Sequence, residues 1–312
     1  MGSLFAFVMD PMTTVQPLAD TSFAFMEAAQ ARGHQAVHVN PAEVTYRGGE
    51  VWLHGTLVRV DREGAPCYEI LSKKWLPAKE CQAIFIRTDP PFDEAYLNLS
   101  WLLSFAEDSG VRIVNSPRGL REANEHLYGL YFPELSPATL VGSDQKQVLE
   151  FVREHGGLAI AKPIDGHAGF GVVQLAEGDP NIHAIIDMLT LEGKQPILAQ
   201  AFVKSEIPGD KRLLMVDGEL RGVVRRIPPK TDFRGNIHIG GHAEACEITE
   251  ADRSIEQAMQ KRLRKDGLFF VGIDVIEDKL IEVNVTSPTL IQELKALGGV
   301  DVAMEVIERL EA

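Results

Sequence analysis

Two short stretches near the C-terminus set acidic side chains on one face of adjoining strands. They read Phe270-Val271-Gly272-Ile273-Asp274-Val275-Ile276 and Leu280-Ile281-Glu282-Val283-Asn284-Val285, with Glu277-Asp278-Lys279 between them. A strand sends alternate side chains to opposite faces. The odd positions Val271, Ile273, Val275, Ile281, Val283 and Val285 are apolar, and the even ones include Asp274, Glu282 and Asn284. A three-residue turn centred on Asp278 keeps the apolar set together and brings Asp274 opposite Glu282, with Asn284 nearby. Two carboxylates about 5 Å apart repel by about 3 kcal/mol at an effective dielectric of about 20. Two partners would reverse that term: nearby basic side chains, or a hard divalent cation that prefers oxygen ligands. Asn284 as a third oxygen donor favours the cation, Mg²⁺ or in its place Mn²⁺, because two carboxylates and an amide leave room for phosphate oxygens.

Two further segments suit phosphate chemistry. Lys162-Pro163-Ile164-Asp165-Gly166-His167-Ala168-Gly169-Phe170-Gly171 joins two apolar strand patterns. It is not a strand-to-helix dinucleotide fingerprint, and it lacks the lysine-serine ending of a P-loop. A glycine loop between strands can fold over nucleotide phosphates with backbone N–H donors, and Lys162 supplies positive charge to the same phosphates. A plain flexible hairpin is the alternative. Between positions 211 and 234 lie seven basic residues, including Lys211, Arg212, Arg226 and Arg234, against three acidic ones. That local excess of four positive charges suits carboxylates and phosphoryl oxygens, although a solvated hairpin face also carries such runs. The nine histidines form no HxxxH or HExxH pattern, which speaks against zinc.

The elements that must carry these residues are legible as alternating patterns. In the first third, strands at 4–9, 36–40, 51–60, 83–87 and 111–115 alternate with helices at 21–32 and from about 93 to 110. That rhythm predicts an α/β fold with a mostly parallel sheet, and such sheets bind ligands at the carboxyl ends of their strands. The loops after Met9 and Arg87 are then candidate binding loops. Beyond Ser116-Pro117 the pattern predicts a helix at 120–131 and another at 143–155 capped by Ser143. Strands follow at 158–163, 171–175 and 197–203, and a hairpin turns at Asp217-Gly218. Residues 228–241 read as a mobile loop, and helices at 250–265 and 300–310 frame the acidic hairpin.

At 312 residues the chain is long for one core and predicts two or three domains. The net charge of −14 argues against general binding to nucleic acid or an anionic membrane. Three scattered cysteines, Cys67, Cys81 and Cys246, read as reduced thiols, and residues 4–9 are too short to span a membrane. A cytoplasmic enzyme is the expectation.

These features together resemble the ATP-grasp ligases, and over almost its whole length the chain resembles the bacterial glutathione synthetase family. The resemblance rests on Val8-Met9-Asp10-Pro11, Arg87-Thr88-Asp89-Pro90-Pro91-Phe92-Asp93 and Val114-Asn115-Ser116-Pro117. It continues through Lys162-Pro163-Ile164-Asp165-Gly166, Gly209-Asp210-Lys211-Arg212, Arg226-Ile227-Pro228 and Arg234-Gly235-Asn236, and ends at Glu282-Val283-Asn284-Val285-Thr286-Ser287-Pro288-Thr289.

The resemblance implies a Rossmann-like N-terminal domain (1–118) before a two-part ATP-grasp fold, a central lid (119–202) and a C-terminal part (203–312). It implies ATP as co-substrate, γ-glutamylcysteine and glycine as small-molecule substrates, and a homo-oligomer, possibly a tetramer. By motif, Asp274, Glu282 and Asn284 would hold the metal. ATP would meet His126, Lys162, Gly166, Gly169, Gly171, Asp210 and the strand Gln200, Ala201, Phe202 and Val203. Arg212, Arg226 and Arg234 would carry the catalytic charge. Arg87, Asp89, Asn236, Thr286, Ser287 and Thr289 would contact the other substrates. Two positions depart from the family pattern: His126 and His242 stand where it usually has lysine and arginine, so a fixed charge is replaced by a pH-dependent one.

Overall fold

The structure is a computed structural model that describes residues 2–229 and 240–311. Its first sheet is built on two parallel strands, β1 (Leu4–Met9) and β2 (Gln35–Val39), joined by helix α1 (Thr21–Ala31). Helix α1 starts where the Asp20 carboxylate accepts the Phe23 N–H and ends before Gly33, whose positive φ of 82° suits glycine. The chain then runs β3 (Val44–Arg47), β4 (Glu50–Val60), β5 (Tyr68–Pro77) and β6 (Cys81–Arg87). Helix α2 (Glu94–Asp108) leads to the two-residue β7 (Ile113–Val114).

Among the described residues the sheet order is β3-β4-β2-β1-β6-β7, with β5 also paired to β4. The expected mostly parallel sheet is therefore mixed: β1, β2, β6 and β7 are parallel, whereas β3, β4 and β5 are antiparallel. Strand β5 has no sequence signature because most of its side chains are exposed on both faces, leaving no alternation to read. The order reverses between β1 and β6, so the loops after Met9 and Arg87 share the crevice that such sheets use for ligands.

The expected helix at 120–131 is split. Helix α3 (Pro117–Glu122) stops, and a single 3-10 turn covers Tyr128–Tyr131. Asn124 causes the break: its side-chain oxygen accepts the N–H groups of His126 and Leu127, diverting them from a helix. The next helix α4 (Gln145–Glu154) is capped by Asp144 rather than Ser143. It packs on a second sheet, order β10-β9-β11-β8, made of β8 (Thr139–Gly142), β9 (Leu158–Pro163), β10 (Val173–Ala176) and β11 (Ile197–Ala201), with α5 (Ile182–Leu189) alongside. This sheet owns a separate core, including Val148, Phe151, Leu175, Ile186 and Ile197.

The third sheet has the order β14-β13-β12-β15-β16: β12 (Asp210–Val216), β13 (Glu219–Ile227), β14 (His242–Ala245), β15 (Phe270–Ile276) and β16 (Lys279–Asn284). Asp217 and Gly218 turn the β12–β13 hairpin with φ of 49° and 72°, as an Asp-Gly pair predicts. Helices α6 (Glu250–Lys265), α7 (Ile291–Ala296) and α8 (Val302–Glu311) complete the chain. This sheet shares its core with the first. Phe25 stacks on Phe85 at 5.1 Å and meets Phe270 edge-on at 5.4 Å, contacts of about 0.5–1.5 kcal/mol each beyond their burial. Buried Asn115 stitches the two together, donating to the carbonyls of Phe270 (2.8 Å) and Val285 (2.7 Å) and accepting the Phe270 N–H (2.7 Å).

Candidate active site

The acidic hairpin forms, with its site register as expected and its turn different. Ile276 pairs with Lys279 across a two-residue turn, Glu277-Asp278, with Glu277 at φ 54°. A β-bulge between Asp274 and Val275 then restores Asp274 opposite Glu282 and Gly272 opposite Asn284. The bulge corrects the parity expected for the apolar residues. Leu280 enters the core, while Ile281 turns with Ile276 into a cavity. An extra residue on one strand reverses the faces beyond it, and alternation alone cannot locate it.

That cavity, of about 490 Å³, lies where the three sheets meet. Asp274, Glu282 and Asn284 line it together with His126 and Lys162. Gln200, Ala201, Phe202 and Val203 form another wall beside Ile276 and Ile281. Asp210, Arg212, Arg226 and Gly169 also face it, as do Asp89, Thr286, Ser287 and Thr289. Gly166 and Gly171 do not line it and serve the loop instead. A Cβ on Gly171, at φ 72°, would stand 2.6 Å from Pro163. Arg87 is buried behind the cavity, where it donates to Ser22 Oγ (3.1 Å) and the Pro288 carbonyl (3.0 Å). Arg234 and Asn236 lie outside the described residues, as does most of the loop expected at 228–241.

Charge in the site is unevenly balanced. Asp274 is buried and held by both Arg212 and Arg226, the latter at 2.7 Å. Burial opposes its ionisation, but the two guanidiniums overcome that and hold its carboxyl down at about 2. Gly272 makes this possible: a Cβ there would stand 2.8 Å from Arg212 Cδ. The basic-side-chain reading of the hairpin therefore holds for Asp274. Its Oδ2 accepts from Arg212, Arg226 and Asn284, whereas among the described residues Oδ1 accepts only from Arg212 Nε, which leaves it a lone pair. Glu282 is less committed. Its neighbour is His126 Nε2 at 3.6 Å, and that ring's Nδ1 lies 2.7 Å from the Pro163 carbonyl.

The donor set fits a hard divalent cation. Asn284 Nδ2 points to the Gly272 carbonyl and Asp274, leaving the amide oxygen as a donor beside Glu282 and Asp274 Oδ1. Among the described residues no three His, Cys, Asp or Glu side chains converge as a metal cage. A cation here would need oxygens from a ligand as well.

Lys162 is the unusual group. The residue is buried, and among the described residues its ammonium, which faces the cavity, has no hydrogen-bonding or ion-pair partner. Burial pushes its pKa down, outweighing the attraction of Glu282, Asp274 and Asp210. An unpaired buried cation is unfavourable unless a ligand brings an anion to it. Glu125, which the motif reading left unassigned, also lines the cavity. Burial and then Glu282 push its carboxyl up, against three hydrogen bonds from Val285 and Thr286.

Arg226 permits a stability test. It bridges Asp210 (2.7 and 2.5 Å) and Asp274, so Arg226→Met leaves one buried carboxylate with no cation and the other with one. A loss of about 3–5 kcal/mol near pH 7 is expected from denaturant midpoints. The pH dependence has a definite sign. In the parent, Asp274 stabilises the fold above its ordinary 3.8, and this fades as pH falls toward 2. In the variant, burial and mutual repulsion raise both carboxyls, so their penalty is relieved as pH falls. The gap between the two proteins should narrow from pH 7 to pH 4, and a constant gap would refute this electrostatic account.

The chain as a whole is similar to known proteins. The model of the prokaryotic glutathione synthetase N-terminal domain matches residues 4–121, and that of the prokaryotic glutathione synthetase ATP-grasp domain matches residues 125–299. A glutathione synthetase from Thermosynechococcus vestitus is 39% identical over 311 residues, covering 97% of this chain and 98% of that protein. One from Synechococcus elongatus is 40% identical over 320 residues, covering 98% of each. Among solved structures, the ATP-grasp ligase PsnB with its minimal precursor aligns at a TM-score of 0.66 and 17% identity, covering 100% of this chain and 99% of that one. D-cycloserine synthetase DcsG aligns at 0.64 and 17% identity, covering 99% and 100%. These structures show the ATP-grasp fold, and the two family models together span nearly the whole sequence: the chain belongs to the prokaryotic glutathione synthetase family.

Proposed function

We propose that this chain is an ATP-dependent carboxylate–amine ligase that joins the cysteinyl carboxylate of γ-glutamylcysteine to the amine of glycine, giving glutathione, ADP and phosphate. The observation that carries the reading is Lys162, a buried residue whose ammonium has no partner among the described residues, in a cavity that also holds the Asp274 and Glu282 carboxylates and the Asn284 amide oxygen. Only a polyanion accompanied by a cation satisfies both halves of that site, and a nucleoside triphosphate with a divalent metal is such a ligand.

The dipeptide carboxylate attacks the γ-phosphoryl group, giving an acyl phosphate and ADP. The amine of glycine then attacks the acyl carbon, and phosphate leaves. In this scheme Lys162 and the backbone of the loop around Gly169 hold phosphate oxygens. Gln200–Val203, with Ile276 and Ile281, give the base an apolar slot with backbone groups at its edge. Asp274 Oδ1, Glu282 and Asn284 would hold Mg²⁺, or Mn²⁺ in its place, which when bound neutralises charge on the transferring phosphoryl group. Arg212 and Arg226, fixed by Asp210 and Asp274, present positive charge to the developing oxyanions without reorganising. Asp89, Thr286, Ser287 and Thr289 face the peptide and acceptor end. Arg87 acts from behind, by fixing the Pro288 carbonyl. Arg234 and Asn236 are assigned to the substrate carboxylates by motif alone.

We read the protein as cytoplasmic and homo-oligomeric, with the sheet of β8 to β11 as a separate lid over ATP. Among the described residues no helix is long and apolar enough to cross a membrane.

The test is ATP-dependent phosphate release across a panel of γ-glutamyl dipeptides and amines. Release is expected with γ-glutamylcysteine plus glycine, at least about tenfold above other amines. Equal release with another amine and none with glycine would transfer the protein to a related ligase. ATP binding without any release would make it a nucleotide-binding regulator.

A further inference from the structure

We propose that Glu125 is a positioning residue that fixes the Thr286 hydroxyl as a hydrogen-bond acceptor facing the incoming amine. The proposal rests on the ligase reading above. After Asn284 the chain leaves β16, and residues 285–290 carry Thr286, Ser287 and Thr289 into the cavity without regular secondary structure. A loop that presents substrate contacts must be held by something else.

Glu125 is the main holder. Its Oε1 accepts three hydrogen bonds, from the N–H of Val285 (2.7 Å), the N–H of Thr286 (2.9 Å) and Thr286 Oγ1 (2.9 Å). Its carbonyl accepts the Val283 N–H at 3.1 Å. The opposite side of the loop is fixed by Asn115 at the Val285 carbonyl and by Arg87 at the Pro288 carbonyl. The residues flanking Glu125 reach the other way. Asn124 donates to the Ile164 carbonyl at 3.0 Å, and His126 Nδ1 meets the Pro163 carbonyl at 2.7 Å. Three successive residues therefore tie the start of the glycine loop to the loop that follows the metal strand.

The direction of the Thr286 bond is forced. Two backbone N–H groups already point at Oε1, so that oxygen is an acceptor and the hydroxyl must donate to it. Thr286 then meets the cavity with lone pairs only. A hydroxyl so fixed accepts from an N–H of an amine and cannot donate to a carboxylate. This excludes a substrate carboxylate as its partner and leaves an N–H donor, assigned here to the incoming amine; a rise confined to the KM for γ-glutamylcysteine would overturn that assignment.

The experiment compares Glu125→Gln, Glu125→Ala and Thr286→Val in the full-length protein, by phosphate release with each substrate varied and by thermal unfolding. Wild-type turnover with γ-glutamylcysteine and glycine is measured first, since its absence would overturn the ligase reading and not the Glu125 assignment. If that turnover is absent, the variants are compared on whichever amine the wild type uses. Glu125→Ala is expected to raise the amine KM and lower kcat, together by about 10²-fold, with the KM for ATP changed less than about twofold. Glu125→Gln keeps an oxygen able to accept all three bonds and should recover to within about fivefold of wild type. Adding Thr286→Val to Glu125→Ala should cause little further loss, because both act through one bond. Glu125→Gln as damaging as Glu125→Ala would overturn the proposal, and so would multiplying losses or an equal rise in the KM for ATP. If Glu125→Ala unfolds, Thr286→Val alone carries the test: a raised amine KM with the KM for ATP changed less than about twofold is expected, and an unchanged amine KM would overturn the proposal.

Discussion

Lys162→Met is expected to lower turnover by about 10²–10³-fold while making the protein more stable. The two effects share one cause. Lys162 is buried, its ammonium faces the cavity with no partner among the described residues, and burial outweighs the pull of Glu282, Asp274 and Asp210 on its pKa. A charged group in that position opposes folding, and methionine fills a similar volume with no charge to desolvate. A gain of about 1–4 kcal/mol is the range seen when buried ionic groups give way to apolar ones of like size. The pH dependence follows. Because the folded pKa lies below the unfolded value of 10.5, the unfolded chain binds more protons between the two, and parent stability rises with pH there. The advantage of Lys162→Met should therefore shrink as pH climbs and vanish above 10.5. ATP should stabilise the parent and not the variant, since the phosphates are the missing partner. Denaturant melts at several pH values, with and without ATP, check each part. A variant that loses stability would mean that Lys162 is paired after all, and the phosphate assignment would fall with it.

What was readable in the chain follows the range of the signals. Local signals carried through: the Asp217-Gly218 hairpin, the glycine loop after Lys162, and the register that sets Asp274 opposite Glu282. The family motifs brought nearly all their described residues to one cavity. Signals that depend on distant partners were not readable. The bulge beside Asp274 leaves no mark, since Leu280 and Ile281 are both apolar and either could enter the core. Glu125 meets Thr286 from 161 positions away, and nothing near either residue announces the pairing. Arg87 looked like a substrate contact because it sits on a binding loop, yet its hydrogen bonds run backwards into the protein. Strand β5 was silent because most of its side chains are exposed, with Leu76 entering the core near its end.

The opening conflict in the hairpin was resolved asymmetrically, and that bears on how the site works. Asp274 is neutralised inside the protein by Arg212 and Arg226, so it adds little net charge to the cavity. Among the described residues Glu282 has only a histidine at 3.6 Å and Lys162 at longer range, so of the pair it carries most of the uncompensated negative charge. As the metal ligands proposed above, the pair would be one fixed and one free. A cation approaching this face gains chiefly from Glu282, while Asp274 Oδ1 and the Asn284 oxygen complete a preformed edge.

Glu282→Gln therefore tests the site where it is most exposed, and the expected result is loss of turnover by at least about 10³-fold even at saturating ATP. The substitution keeps shape and one carbonyl oxygen, so lost activity would report charge and not packing. Folding should not suffer. Removing this charge relieves the repulsion on Glu125, whose carboxyl burial and Glu282 both push up, and takes away one attraction from Lys162. These changes oppose each other, so thermal stability should stay close to that of the parent. The metal dependence separates the explanations. If Glu282 holds the cation, raising Mg²⁺ or substituting Mn²⁺ should recover part of the activity, because a weakened site fills at higher concentration. If Glu282 instead neutralises Lys162 or His126, no amount of metal will help. Full activity in Glu282→Gln at ordinary Mg²⁺ would remove the cation from this hairpin, leaving Asp274 as a strut for two arginines and returning the search for the metal ligands to the remaining oxygens of the cavity.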